Sequence, residues 1–159
     1  MANLRPYGPV PWMTPVPAEG AGSAPGIYMV ARVNEAMMGC VEAPLKFIDP
    51  LPPGLVVDLD YERQRWLPRE PVLYIGKTDR PIRDRVREFY NHKCGDPSKH
   101  AGGQVLKLLQ CDLWVYWSPT TAPLGSEAKA ISAFKERAGQ EPFGNHETKG
   151  RPKRVRRSN

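Results

Sequence analysis

Two tyrosines, Tyr28 and Tyr74, stand in short runs rich in apolar residues, and Lys77, a group of arginines, Glu127 and Asn145 follow them along the chain. A phenol can orient a water or carry a proton, a guanidinium can grip two oxygens of a phosphate, and a carboxylate can hold a cation. Together these groups suit chemistry on an anionic substrate. Each also has a plainer reading: strand tyrosines pack in cores, arginines keep a basic helix solvated, and an acid in the first turn of a helix interacts with its dipole.

The elements that must position these groups are legible from local pattern. Val72-Leu73-Tyr74-Ile75-Gly76-Lys77 is dense in β-branched and aromatic residues and reaches Gly76 where the backbone must turn or admit a close neighbour, so it reads as a strand. A helix should follow at once. Pro81 suits its first position, Thr78 or Asp79 can cap it, and Ile82, Val86, Phe89 and Tyr90 recur on one face. At 100° per residue, Arg85 falls beside Phe89 on the border of that apolar stripe, with Arg83 and Arg87 on its other flank. Upstream, the alternation from Gly26 to Val33 predicts an earlier strand with Tyr28 on the face opposite Ile27. Downstream come a short buried helix over Gln104 to Gln110, a third strand over Leu113 to Trp117 and a last helix over Ser126 to Arg137. On that last helix Glu127, Ile131 and Phe134 share the inward face.

Gly26-Ile27-Tyr28, then Tyr74-Ile75-Gly76, then an arginine, a glutamate and an asparagine occur in that order. Five elements in matching structural contexts are more specific than either tripeptide, and this arrangement resembles the GIY-YIG nuclease family. The resemblance covers roughly residues 26 to 34 and 70 to 146. It implies an α+β fold, a small three-stranded antiparallel sheet flanked by helices, here with a long insertion over residues 34 to 71 between the first two strands. It also implies an endonuclease that hydrolyses phosphodiester bonds in DNA.

Hydrolysis of that kind needs an activated water and stabilisation of charge on the phosphoryl and departing oxygens. The resemblance makes Glu127 the ligand of one Mg2+ or Mn2+ ion, Arg85 the contact to the scissile phosphate and Asn145 the residue that organises the site. It favours Tyr28 as general base or proton carrier, with Tyr74 orienting water or phosphate beside it, although the sequence does not separate the two tyrosines. A phenol with a pKa of about 10 needs about 4 kcal/mol of differential stabilisation to ionise near pH 7. Lys77 and the metal are expected to supply it, and the helix dipole to keep Glu127 ionised.

Composition bounds the rest. The 159 residues allow one domain with tails: an arm over 1 to 25, a domain over 26 to 148, and a basic tail over 149 to 159. Of the 18 prolines, many fall in the arm and in the 44 to 71 region, so the arm is expected to be extended or disordered, pinned by Trp12. Within the insertion, Leu55 to Tyr61 reads as an extra strand. The 23 basic against 17 acidic residues give a charge of +6, which favours an anionic partner. The tail adds Lys149, Arg151, Lys153, Arg154, Arg156 and Arg157; with all six on phosphates the salt dependence of binding would steepen by a log–log slope of about 5.

His92 and His100 flank a polar loop and are candidate nucleic-acid contacts, as are Arg83 and Arg87. Two glycines after His100 could leave helix amides open to a phosphate. His92, Cys94 and His100 match no tight zinc spacing, and three scattered cysteines without a CxxC argue against a disulfide framework. No apolar run suggests a membrane span or a signal peptide, so a cytoplasmic protein is expected. A non-cutting nucleic-acid-binding module and an RNA-directed nuclease are the alternatives, and specificity could come from a homodimer or a partner protein.

Overall fold

The computed structural model describes residues 7–12, 14–17, 19, 21–33, 42–52, 58–92 and 101–145. Strands β1 (Tyr7–Pro11), β2 (Gly26–Ala31), β3 (Val72–Thr78) and β4 (Trp114–Pro119) form one antiparallel sheet in the order β1-β4-β2-β3. Around it lie helices α1 (Leu59–Arg65), α2 (Ile82–Asn91) and α3 (Pro123–Ala138) and a 3-10 helix over Ala101–Leu108. The fold is α+β, as expected, but the sheet has four strands rather than three.

Strand register places the chemistry-bearing side chains. Tyr28 pairs with Gly76 on one side and Trp117 on the other, while Val30 pairs with Tyr74 and Val115. Because strand side chains alternate, Tyr28, Val30, Tyr74, Val115 and Trp117 share a face. Ile82, Val86 and Phe89 of α2 are buried against it and belong to the same core cluster. Alternation sends Ile27, Ile75 and Lys77 to the other face, and α3 contacts the same two strands, β2 and β3. Insertion length did not prevent the expected pairing of the two tyrosine strands, consistent with the slow growth of closure entropy with loop length.

The amino-terminal segment is the largest correction to the expected layout. Tyr7–Pro11 joins the sheet as a fourth strand on β4, and Trp12 does pin it, packing edge-on against Phe89 and Tyr90 with ring centroids 5.1 and 5.2 Å away. An edge strand accommodates Pro9 and Pro11 because one side of its backbone needs no partner. Farther along, Val16 is buried in the core, and the carbonyls of Ala24 and Gly22 accept from Ile82 N and Arg83 N at 3.0 and 2.9 Å. The start of α2 is therefore satisfied by backbone. Pro81 occupies the cap position and makes no side-chain cap bond, while the Thr78 hydroxyl accepts from Arg80 N at 3.0 Å.

The insertion is also partly folded. Asp58 caps α1 by accepting from Tyr61 N at 3.0 Å, so the extra strand expected over residues 55 to 61 is a helix from Leu59 onward, and residues 55–57 lie outside the described residues. A capping aspartate followed by Leu59-Asp60-Tyr61 commits the backbone to helix. Arg32 donates to the carbonyls of Glu70 (3.2 Å) and Pro68 (3.0 Å), and Arg137 grips the Glu70 carboxylate, at 2.8 Å for its shorter bond. These bonds fasten the end of the insertion to β2 and α3. No helix among the described residues is long and apolar enough to cross a membrane.

Candidate active site

The two motif glycines are required by close approach. A Cβ on Gly76 would stand 2.6 Å from Tyr28 Cζ, 2.7 Å from its hydroxyl and 2.8 Å from Tyr74 Cε1. One on Gly26 would meet Ser118 O at 2.3 Å and Ile82 Cδ1 at 2.7 Å. Gly76 thus lets the two phenols converge, and Gly26 lets β2 pack against the end of β4 and the start of α2. The Tyr28 and Tyr74 rings lie 6.0 Å apart, and Phe89 stacks on Tyr74 at 5.2 Å, which ties both rings to α2.

Tyr28 is only 1 % exposed. The Tyr74 hydroxyl and the Arg85 guanidinium act on its phenol, yet its hydroxyl has no hydrogen-bond partner of acceptable geometry among the described residues. A buried hydroxyl in that state costs about 1–3 kcal/mol. Burial, then the neighbouring Tyr74, push the Tyr28 pKa well above the usual phenol value, and Arg85 offsets this in part. Burial also raises Tyr74, against the neighbouring Tyr28 hydroxyl and the Arg85 charge, which lower it.

Arg85 stands where the helical pattern put it, its side chain 23 % exposed, with Nη1 4.0 Å from Glu88 Oε2. Arg80 makes a two-pronged bond to the same carboxylate at 2.8 and 2.6 Å. Glu127 is half-buried and makes no hydrogen bond or ion pair within 4 Å among the described residues. The helix begins at Pro123, so Glu127 is in the second turn and not the first. Its carboxyl pKa is raised by burial, against the lowering charges of Lys77 and Arg85. Dipole stabilisation therefore does not dominate at this carboxylate. Lys77, which also lies 3.8 Å from Asp79, acts on Glu127, whereas the charge that acts on both phenols is that of Arg85. Lys77 does not contribute to either phenol, and burial raises both.

Tyr28, Tyr74 and Arg85 are thus close enough to act on one another, while Glu127 acts on Tyr74 and is acted on by Lys77 and Arg85. Asn145 completes the group from the free edge of β3: its Oδ1 accepts from Ile75 N at 2.9 Å and its Nδ2 donates to Ile75 O at 2.8 Å. The side chain imitates a neighbouring strand, and Gly144 N extends the imitation by donating to Leu73 O at 2.6 Å. Asn145 is a brace of the strand between Tyr74 and Gly76. A plain turn residue would not use both ends of its amide in this way.

The other candidates lie apart from this group. Arg83 and Arg87 both pair with Asp84, Arg83 at 3.8 Å and Arg87 at 3.0 Å, on the outer flank of α2. His92 caps the far end of α2, donating its amide to Glu88 O at 3.0 Å, about 10 Å along the helix from Arg85 at 1.5 Å per residue. His100, Lys153, Arg154, Arg156 and Arg157 lie outside the described residues.

Sequence reasoning missed Arg80, whose exposed guanidinium shares Glu88 with Arg85, and Arg65 of α1, which donates to Pro142 O at 3.1 Å and to Asn145 O. Arg80 follows Asp79 directly and was open to notice as one more base beside the arginine helix. Arg65 gave no such signal.

Glu127 is the carboxylate that stands beside Tyr74 and Arg85, and no group of three His, Cys, Asp or Glu stands together among the described residues. One half-buried carboxylate does fit a hard ion that keeps most of its waters and takes oxygens from its substrate. No protein-family model matches the chain, and neither a curated protein nor a solved structure does. The case for a function therefore stands on the chain's own residues.

Proposed function

We propose that the chain is a metal-dependent endonuclease that hydrolyses phosphodiester bonds in DNA. The observation that supports this most is the buried, unbonded hydroxyl of Tyr28 beside Tyr74 and the Arg85 guanidinium. A phosphate oxygen can meet the part-exposed guanidinium, and a movement that opens the buried Tyr28 hydroxyl would let an attacking water bond to it. Glu127 would hold Mg2+ or Mn2+, which when bound supplies positive charge for the phosphoryl oxygens and the departing oxygen.

In this reading Arg85 binds and orients the scissile phosphate. Tyr28 Oη orients the water, takes its proton as the new P–O bond forms, and releases its own proton by way of Tyr74 Oη to solvent. The broken ester oxygen takes a proton from bulk water. Burial keeps Tyr28 protonated at rest, so in this reading it gives its own proton to Tyr74 as it takes the water's, and no free phenolate builds up. Lys77 favours the ionised form of Glu127 against its burial and so favours cation binding.

The test is nicking of supercoiled plasmid with and without Mg2+. The parental protein should nick only with the metal, and Arg85→Ala and Glu127→Ala should each lower the rate by about 10²–10³. An RNA duplex of matching sequence in parallel decides the sugar, because these groups meet only phosphate and water. Binding to DNA without nicking under every metal condition would replace the enzyme with a nucleic-acid-binding module.

A further inference from the structure

The insertion between the two tyrosine strands contributes to the site without approaching it. Its helix α1 ends in Arg65, whose guanidinium donates to the carbonyls of Pro142 and Asn145. The carbonyl of the same residue accepts from Gln140 Nε2 at 2.6 Å, and the next residue, Trp66, packs edge-on against the buried Phe143 at 5.1 Å. Tyr61, one turn back, lies under the guanidinium at 5.8 Å and limits where it can go. Four contacts thus bind one helix end to the segment 140–145. That segment holds β3 through Gly144 N to Leu73 O and through both ends of the Asn145 amide to Ile75.

We propose that Arg65 is a positioning residue for the site: it fixes the 142–145 turn so that Asn145 can lock Ile75, and thereby sets the places of Tyr74 and Lys77 on either side. The physical reason is geometric. An edge strand has no second neighbour to hold it, and an asparagine side chain replaces one only if its own backbone is immobile. Two carbonyls of one short turn bound to a single planar guanidinium supply that immobility, because the fork fixes their separation as well as their direction. The insertion then acts as a splint for the catalytic edge. Its activity arm rests on the nuclease reading, and its structural arm does not.

Amide hydrogen exchange in the full chain tests it directly. Arg65→Ala should speed exchange of the Ile75 amide by about tenfold while the amides of Met29 and Val115, in the sheet interior, keep their protection. Asn145→Ala should speed Ile75 similarly, and the double variant should add little, since both changes release one bond. Unchanged Ile75 exchange in Arg65→Ala, or acceleration of all three amides together, would overturn the proposal. In nicking assays the same variant should lower kcat with KM within about twofold of the parent, because Arg65 touches no substrate. A raised KM at constant kcat would make Arg65 a nucleic-acid contact instead and also overturn it. If the parental protein does not nick, the nuclease reading fails while the exchange measurement still decides the role of Arg65.

Discussion

Strand β1, at one edge of the sheet, carries Pro9 and Pro11, which lack the amide a further strand would pair with, and is held down by apolar contact through Trp12, Phe89 and Tyr90. Strand β3, at the other edge, is held by polar bonds from Gly144 and Asn145. The first edge is closed by its own prolines and covered by Trp12 beside it, which packs on α2. The second is finished by residues about 70 positions away, and beside it stand the unbonded Tyr28 hydroxyl and the raised Glu127 carboxyl. The two edges are thus divided by what holds them, apolar packing at one and polar bonds at the other.

The sharpest way to test that division is Tyr28→Phe. Removing the hydroxyl should lower nicking by about 10²-fold, if the phenol moves the proton. It should also raise stability by about 1 kcal/mol, a Tm gain of roughly 2–4 °C, because an unsatisfied buried group is gone. A fall in Tm on thermal unfolding would show that the hydroxyl is bonded in solution and that the β3 side stores no such penalty.

A smaller effect separates the two edges by what they do. Trp12→Ala should cost about 2 kcal/mol from lost packing of a half-buried ring, with Tm lower by roughly 4–8 °C. Its nicking rate below the melting range should remain within about twofold. Asn145→Ala should cost about 1–3 kcal/mol, yet lower the rate by roughly tenfold or more as β3 shifts. Equal rate losses in both variants would mean that the edges are not functionally distinct.

The smallest effect concerns Glu127. Its folded pKa is raised by burial, so the folded chain holds that proton more tightly than the unfolded chain does. The corresponding stability is present below the usual carboxylate range and is lost as pH rises through the raised value. Glu127→Gln should therefore match the parent near pH 4 and exceed it by about 1–2 °C in Tm near pH 7. A gap that narrows with rising pH would show that the Lys77 and Arg85 charges outweigh burial.

How legible all this was depends on the range of each interaction. Tyr28, Tyr74 and Gly76 could be read together because their strands announce themselves locally, and Glu127 because its helical spacing to Phe134 faces it inward. Strand β1 was hidden by its prolines, which weigh against a central strand but not against an edge. Helix α1 was hidden by the valines before it, which outweighed the capping signal of Asp58. The Arg65 clamp leaves no trace in sequence, since its acceptors are backbone carbonyls, which every residue carries, 77 and 80 positions away. Burial is hidden for a related reason: it depends on the whole fold, and it raises Tyr28 and Glu127 against the nearby charges that residue types advertise.

The carbonyls of Gly22 and Ala24 occupy the opening amides of α2, and this has a bearing on how the molecule could tell one polyanion from another. A helix end with free amides would attract any small oxyanion, such as sulfate, inorganic phosphate or a nucleotide's terminal group. With that socket plugged, an anion bound as the nuclease reading expects would meet guanidinium groups instead, and these reward a long ladder of charges over a single ion. Competition by free phosphate should accordingly be weak, and inhibition by heparin-like polymers strong.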